Sequence, residues 1–287
     1  MSARSYSPPY RRALGYAGLI LMAAIFIFPF VFSVANSFKS DAQATNDAIN
    51  LIPSPVSLAA WRQIFGYGPA AATTNFPLWL FNSVFLSVCI TVGRVFLDSL
   101  AGYSLARLRF RGRKLIFGFI IGTLAVPSVV LMIPTFLILK QFGIFNSYEA
   151  MILPMLVDVT GIFLMRQFFL QVPDALEEAG RVDGANIWQI YWRLVLPVVR
   201  PGLVALTIIS FQASWNQFMF YLVATVSPKY FTLVTGLANI VGGGLSAGNQ
   251  YPLKLGASVL TILPMVIMFI VLQRYFVRGG TAGSVKG

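Results

Sequence analysis

Residues 13–35 read ALGYAGLILMAAIFIFPFVFSVA, 23 consecutive positions without a charged side chain. A helix rises about 1.5 Å per residue, so a run of this length spans the roughly 30 Å hydrocarbon core of a bilayer. Two further runs share the property: residues 115–139 carry no charge over 25 positions, and residues 203–226 none over 24. Residues 255–273 form a fourth run. Residues 77–103 and 150–165 are equally apolar but enclose Arg94 with Asp98, and Asp158. The whole chain follows suit, with 57% hydrophobic and only 10% charged residues over 287 positions. Soluble domains carry about 25% charge, so this chain is solvated by lipid, and disorder is excluded by the same composition. The reading is an all-α membrane protein with six transmembrane helices.

Chemistry is restricted just as strongly. The chain has no His and a single Cys, Cys89. A His base, a His/Cys metal cluster and an intrachain disulfide are all impossible, which removes most enzyme classes. The net charge of +12 would suggest nucleic acid in a soluble protein. Here the cations sort by topology. With a cytoplasmic N-terminus, fifteen fall inside, among them Arg4, Arg11, Arg12, the cluster Arg107, Arg109, Arg111, Arg113 and Lys114, and Arg181, Arg193 and Arg200. Five fall outside: Lys39, Arg62, Lys140, Lys229 and Lys254. The positive-inside rule then places both termini in the cytoplasm and accounts for the charge without nucleic acid. Ser33-Val34-Ala35 loosely resembles a signal cleavage site, but the run before it exceeds a signal h-region, so it reads as an uncleaved span.

The organisation expected is a cytoplasmic N-terminus over 1–12, a first span over 13–36, an extracytoplasmic loop over 37–76 with a short helix near 59–65, and a core of five spans over 77–280. A cytoplasmic tail over 281–287 follows. The last outer connection is rich in Gly, including Gly242, Gly243, Gly244 and Gly248, beside Asn249. It reads either as a loop that probes a docked partner or as a flexible linker. No GxxxxGK[ST] motif occurs, so the chain does not carry a nucleotide-binding P-loop.

The inner segment between Pro173 and Pro197 is too structured for a plain connection. Asp174 can cap a helix over 175–182 with Glu177 as its capping-box partner, and Asp183-Gly184 ends it. Asn186 with Gln189 can cap a second helix carrying Ile187, Trp188, Tyr191, Trp192 and Leu194. Its aromatics suit either the headgroup region or a groove on a partner.

Glu178-Ala179-Gly180-Arg181-Val182-Asp183-Gly184-Ala185, followed by Leu196-Pro197, resembles the EAA loop of ABC importer permeases, with Gly180 standing where a second Ala is usual. Ala106-Arg107-Leu108-Arg109-Phe110-Arg111-Gly112 is similar to a stretch of carbohydrate importer permeases, and Trp215-Asn216-Gln217-Phe218 to their W-N-x-F. Gly283-Ser284-Val285-Lys286-Gly287 resembles the tail of the maltose-transporter-type second permease. The resemblance implies a sugar-importing permease subunit that works with a sister permease, two ATP-binding subunits and an extracytoplasmic sugar-binding protein, in the cytoplasmic membrane. It implies no cofactor in this chain, with ATP and Mg held by the partner subunits. It implies ATPase coupling through Glu178, Ala179, Asp183, Gly184, Ala185, Ile187, Tyr191, Leu194 and Pro197, with Glu178 making a polar contact and Tyr191 filling an apolar cleft. It further implies a tail contact through Ser284, Val285, Lys286 and Gly287, and a binding-protein contact through Gly242, Gly243, Gly244 and Asn249.

Inside the spans, Arg94 and Asp98 stand i,i+4 and can pair. That pair reads as self-neutralised or as part of a substrate path. Asp158 has no partner in its own span and reads as a gate or as an interhelical hydrogen bond. Gln212, Trp215 and Asn216 combine the polar and aromatic groups a sugar needs, or serve as packing between helices. A phosphorylated polyol or a polyamine is an alternative substrate, although few acids are present to line a polyamine path. An ion-coupled secondary transporter would want more intramembrane carboxylates than Asp98 and Asp158. A membrane-bound enzyme is disfavoured by the same scarcity of acids and the absence of His.

Overall fold

The computed structural model describes residues 9–67, 75–241 and 250–281. Helices account for all regular structure among them. In chain order these are α1 (Pro9–Ser37), α2 (Asp41–Asn46), α3 (Ala59–Ile64), α4 (Phe76–Arg107), α5 (Arg113–Gly122), α6 (Met132–Gln141), α7 (Tyr148–Ile152), α8 (Val159–Leu170), α9 (Asp174–Val182), α10 (Ile187–Gln189), α11 (Leu196–Val198), α12 (Arg200–Trp215), α13 (Met219–Ala224), α14 (Leu233–Val241) and α15 (Tyr251–Thr281). A π-helical turn, Ile190–Val195, joins α10 to α11.

Three stretches among the described residues are long and apolar enough to cross a membrane as single helices: Ala13–Ser37, Phe76–Arg107 and Tyr251–Val271. Two more qualify as bent pairs. Tyr148–Met155 meets Val159–Leu170 at 41°, and Ile187–Val198 meets Arg200–Trp215 at 82°. The uncharged run over 115–139 is not one continuous helix, contrary to expectation. It divides into α5 and α6 around a 3-10 turn, Thr123–Ala125. The cause is local: Val126 precedes Pro127 and is extended, at φ −89° and ψ 117°, because the proline ring disfavours a helical residue before it.

The chain divides into two compact units, Met1–Phe76 with Leu237–Leu263, and Pro77–Gly236 with Pro264–Gly287. In the first, the short helix α3 forms where expected. Trp61 stacks on Phe38 with centroids 5.3 Å apart, and Gly256 lets α15 approach, since a Cβ there would stand 3.0 Å from Ile64. Lys39 is buried and needs its ammonium satisfied. Its Nζ donates to the carbonyls of Asp47 at 2.7 Å and Asn50 at 2.5 Å, which ties the loop after α2 to the end of α1.

The second unit is organised on α4. One core, built on Tyr103, Met165, Phe169, Tyr191, Val195 and Leu206, joins α4, α8, the π-turn and α12. A second, built on Leu86, Ile90, Leu139, Met151 and Tyr221, joins α4 to α6, α7 and α13. Asn82 links this end to the segment before α14: its Nδ2 donates to the carbonyls of Lys229 and Phe231 at 2.9 and 2.8 Å, and its Oδ1 accepts from the Tyr148 hydroxyl at 2.7 Å.

Candidate functional site

The segment from α9 to α11 joins α8 to α12. α9 starts at Asp174, with Pro173 and not Asp174 at the N-cap position and no side-chain cap. Proline is pre-set for the turn into a helix, and Asp174 is thereby free to turn outward. It pairs with Arg107 at 2.6 Å. Glu177, expected as the capping partner of Asp174, is instead buried and accepts from Arg107 Nε at 2.6 Å and from Arg181 at 3.3 Å. Arg107 also donates to the Val172 carbonyl at 3.1 Å. The last residue of α4 therefore holds both the entry to α9 and its buried carboxylate, with every charge compensated.

The turn after α9 follows the expected chemistry. Asp183 is the C-cap and Gly184 has φ +78°, a conformation that resists a Cβ. Asn186 and Gln189 form the expected capping box, each side chain accepting from the other's backbone N–H at 2.9 Å. Gly180 also acquires a reason: a Cβ there would stand 2.5 Å from Leu194 Cδ1, so glycine lets α9 lie against the π-turn.

Burial divides the residues assigned to this segment. Glu178, Ala179, Asp183, Gly184, Ile187 and Pro197 are exposed, while Ala185 and Leu194 are half-buried. Tyr191, given to a partner's cleft by the resemblance, is buried within this chain. Its ring packs against Tyr103 and Phe169, and its hydroxyl lies 2.7 Å from Ser99 Oγ on α4. The apolar surface left outward belongs to Val182, Ile187, Trp188 and Trp192, which are 88, 54, 59 and 47% exposed. Of these, Ile187 belongs to the coupling set implied by the resemblance, and Trp188 and Trp192 to the aromatics read as suiting the headgroup region or a partner's groove.

The intramembrane candidates separate similarly. Trp215 is buried with its ring stacked on Phe211 at 5.7 Å. Gln212 on α12 and Asn216 at its C-cap are exposed. Asp158 is half-buried and caps α8, accepting from the Gly161 N–H at 3.1 Å. That bond lies within its own helix rather than between helices. Arg94 and Asp98 form no ion pair with each other among the described residues; each binds backbone of the bent Tyr148–Leu170 element instead. Gly242, Gly243, Gly244 and Asn249, and the tail residues Ser284, Val285, Lys286 and Gly287, lie outside the described residues. Among the described residues no group of His, Cys, Asp and Glu could hold a metal.

Residues 98–279 match the family model described as binding-protein-dependent transport system inner membrane component. The arabinooligosaccharides transport system permease protein AraQ of Halalkalibacterium halodurans is 36% identical over 94% of this chain and 95% of that protein. The sn-glycerol-3-phosphate transport system permease protein UgpE of Yersinia pestis is 33% identical over 91% and 92%. Among solved structures, a chain of a bacterial ABC transporter involved in the import of the acidic polysaccharide alginate has a TM-score of 0.79 at 22% identity, over 94% of this chain and 99% of that one. A chain of the MetNI methionine ABC transporter has a TM-score of 0.52 at 18% identity, over 70% and 94%. At these identities the two structures speak to the fold alone.

Proposed function

The chain belongs to the inner membrane components of binding-protein-dependent transport systems, and from that premise we propose that it is the membrane-spanning permease subunit of an ATP-driven importer for a sugar or oligosaccharide. It is a transport subunit and not an enzyme. Its partners in this reading are a sister permease, two ATP-binding subunits and an extracytoplasmic sugar-binding protein, with ATP and Mg bound by the ATPase subunits. The carbohydrate substrate rests on the arabinooligosaccharide permease relative. A phosphorylated polyol is the second reading, favoured by the glycerol-3-phosphate permease relative.

The observation that carries the coupling assignment is geometric. Ile187–Val198 turns by 82° into α12 and leaves Ile187, Trp188 and Trp192 outward, while Tyr191 anchors it inward. If α12 crosses the bilayer, this element lies along the membrane surface as a short rigid body, able to pass on the motion of a partner. Glu178, Ala179, Asp183, Gly184, Ile187 and Pro197 flank or present the docking face, Ala185 and Leu194 seat it, and Val182, Trp188 and Trp192 extend it. The topology proposed has six spans, both termini cytoplasmic and the segment 174–195 on the cytoplasmic side. The third span is then the broken pair α5 and α6. Gln212 and Asn216 are the groups on α12 proposed to meet solute. Gly242, Gly243, Gly244 and Asn249 are proposed to contact the binding protein, and the tail Ser284, Val285, Lys286 and Gly287 the ATPase subunits.

Two measurements test this reading. In a Cys89→Ser background, single cysteines at 109 and 229 should label from opposite sides of the membrane, only the former from the cytoplasm. The complex purified with its ATPase and binding protein should hydrolyse ATP faster when one member of a sugar panel is present. Labelling of both positions from one side would defeat the topology. Stimulation by glycerol 3-phosphate alone would select the polyol reading.

A further inference from the structure

Arg94 and Asp98 face a break in the neighbouring element. Both are buried, and they stand one helical turn apart on α4. Arg94 Nε donates to the carbonyl of Met155 at 2.6 Å. Met155 ends the 3-10 turn on one side of the 41° break. Asp98 Oδ1 accepts from the backbone N–H of Asp158 at 3.1 Å, and Asp158 is the N-cap of α8 on the other side.

The signs match the polarity of the two ends. A helix terminates in carbonyls bearing partial negative charge and begins with N–H groups bearing partial positive charge. A guanidinium on the carbonyl and a carboxylate on the N–H are the arrangement each end favours. Within a membrane, lipid cannot satisfy backbone groups freed by a break, so neighbouring protein must. The seam is close enough for this. A Cβ at Gly93 would overlap Leu156, and one at Gly161 would overlap the Asp98 carboxylate. At Gly102 a Cβ would stand 2.8 Å from Met165 Cβ. Asp98 Oδ2 is buried with no hydrogen-bond partner, an acceptor in reserve close to Gly161 in the first turn of α8.

We propose that Arg94 and Asp98 are positioning residues that clamp the two ends of this break and make it a hinge of the transport cycle. In one position Oδ1 holds the Asp158 N–H; as α8 swings, Oδ2 takes over a neighbouring N–H, so in both positions Asp98 keeps hold of the start of α8. The inference rests on the permease reading and adds to it which residues let the spans bend.

The experiment uses the whole complex with its ATPase and binding protein, carrying Cys89→Ser and nitroxide labels at the exposed positions 149 and 170. Distances are measured by pulsed electron paramagnetic resonance with and without trapped nucleotide. The unaltered complex should give a narrow distance that moves by about 2 Å, the change on straightening a 41° bend between arms rising about 1.5 Å per residue. Asp98→Leu or Arg94→Leu should broaden the distribution, abolish its response to nucleotide and lower uptake about tenfold, as for loss of a charge-assisted hydrogen bond. The double variant Arg94→Gln with Asp98→Asn keeps a donor and an acceptor, and should keep the response and uptake within about threefold. Exchanging the charges, Arg94→Asp with Asp98→Arg, should behave like the Leu variants because each helix end then meets the wrong sign. Rescue by the exchange, or failure of the Gln/Asn double, would mean that the two residues serve each other and not the break. An unmoving distance in a complex that takes up sugar would remove the hinge. Uptake by the unaltered complex is scored separately, so its failure would strike the permease reading and leave the nucleotide response to judge the clamp.

Discussion

The α4–α8 seam and the segment from α9 to α11 both break a run of helix beside charged side chains, yet they dispose of their chemistry in opposite ways. At the seam everything polar is turned inward: Asp98 and Arg94 meet backbone, Asp158 caps its own helix, and glycines admit the close approach. The α9–α11 segment turns Glu177 inward onto Arg107 in the same manner, with Arg181 closing over it from the surface, but leaves Val182, Ile187, Trp188 and Trp192 uncovered. In the proposed reading these exposed apolar groups, set beside a satisfied polar frame, are the surface offered to the ATPase subunit. A buried and internally compensated cluster marks a part that moves or holds within the chain. The contrast separates what this subunit does by itself from what it does through another.

Four substitutions would break or sharpen that contrast. The largest effect is expected from Tyr191→Asp, which buries a carboxylate in an aromatic core at a cost of several kcal/mol. The recovered complex should fall sharply even before coupling is assayed. Normal recovery would mean that Tyr191 is not the inward anchor. Next is Gly161→Val, whose side chain would overlap Asp98 and Leu206. Forced overlap of this kind costs about 3 kcal/mol, so the thermal midpoint of the detergent-purified complex should drop. An unchanged midpoint would show that the seam is looser than described.

Trp188→Asp should separate the two regions most cleanly. The permease should reach the membrane at its usual level, because Trp188 is 59% exposed. Recovery of the ATPase subunit should fall about tenfold, the loss expected when an aromatic anchor leaves an interface. Equal loss of permease and ATPase would assign Trp188 to folding. Tyr191→Phe should be the mildest, giving up the Ser99 hydrogen bond while keeping the ring contacts. A loss of about 1 kcal/mol in stability with uptake retained is expected. Abolished uptake at normal stability would give the hydroxyl a role in coupling that packing does not explain.

Much of this architecture is legible along the chain. Uncharged runs long enough for a bilayer, the distribution of cations, the Asn186–Gln189 capping box and the positive φ of Gly184 all follow from composition and local spacing, because lipid solvation and turn chemistry act on neighbours in sequence. The EAA-like segment was readable for the same reason, together with its departure at Gly180. Side-chain direction within that segment was not. The resemblance gives Tyr191 to a partner's cleft, whereas its ring lies inward, packed on Tyr103 and Phe169.

The charged groups teach the same lesson from the other side. An i,i+4 spacing allows Arg94 and Asp98 to pair, and nothing in local sequence says otherwise. Their partners are Met155 and Asp158, some sixty residues away, and the sign of each contact is set by which helix end the fold brings near. Glu177 likewise finds Arg107 across seventy positions of sequence. What the amino-acid order settled by itself is therefore the solvent, the helices and the turns, since those depend on contiguous residues. Which buried charges meet and which aromatics remain exposed were decided only by tertiary packing, because low-dielectric contacts and close helix approach are satisfied between residues that the chain alone does not place together.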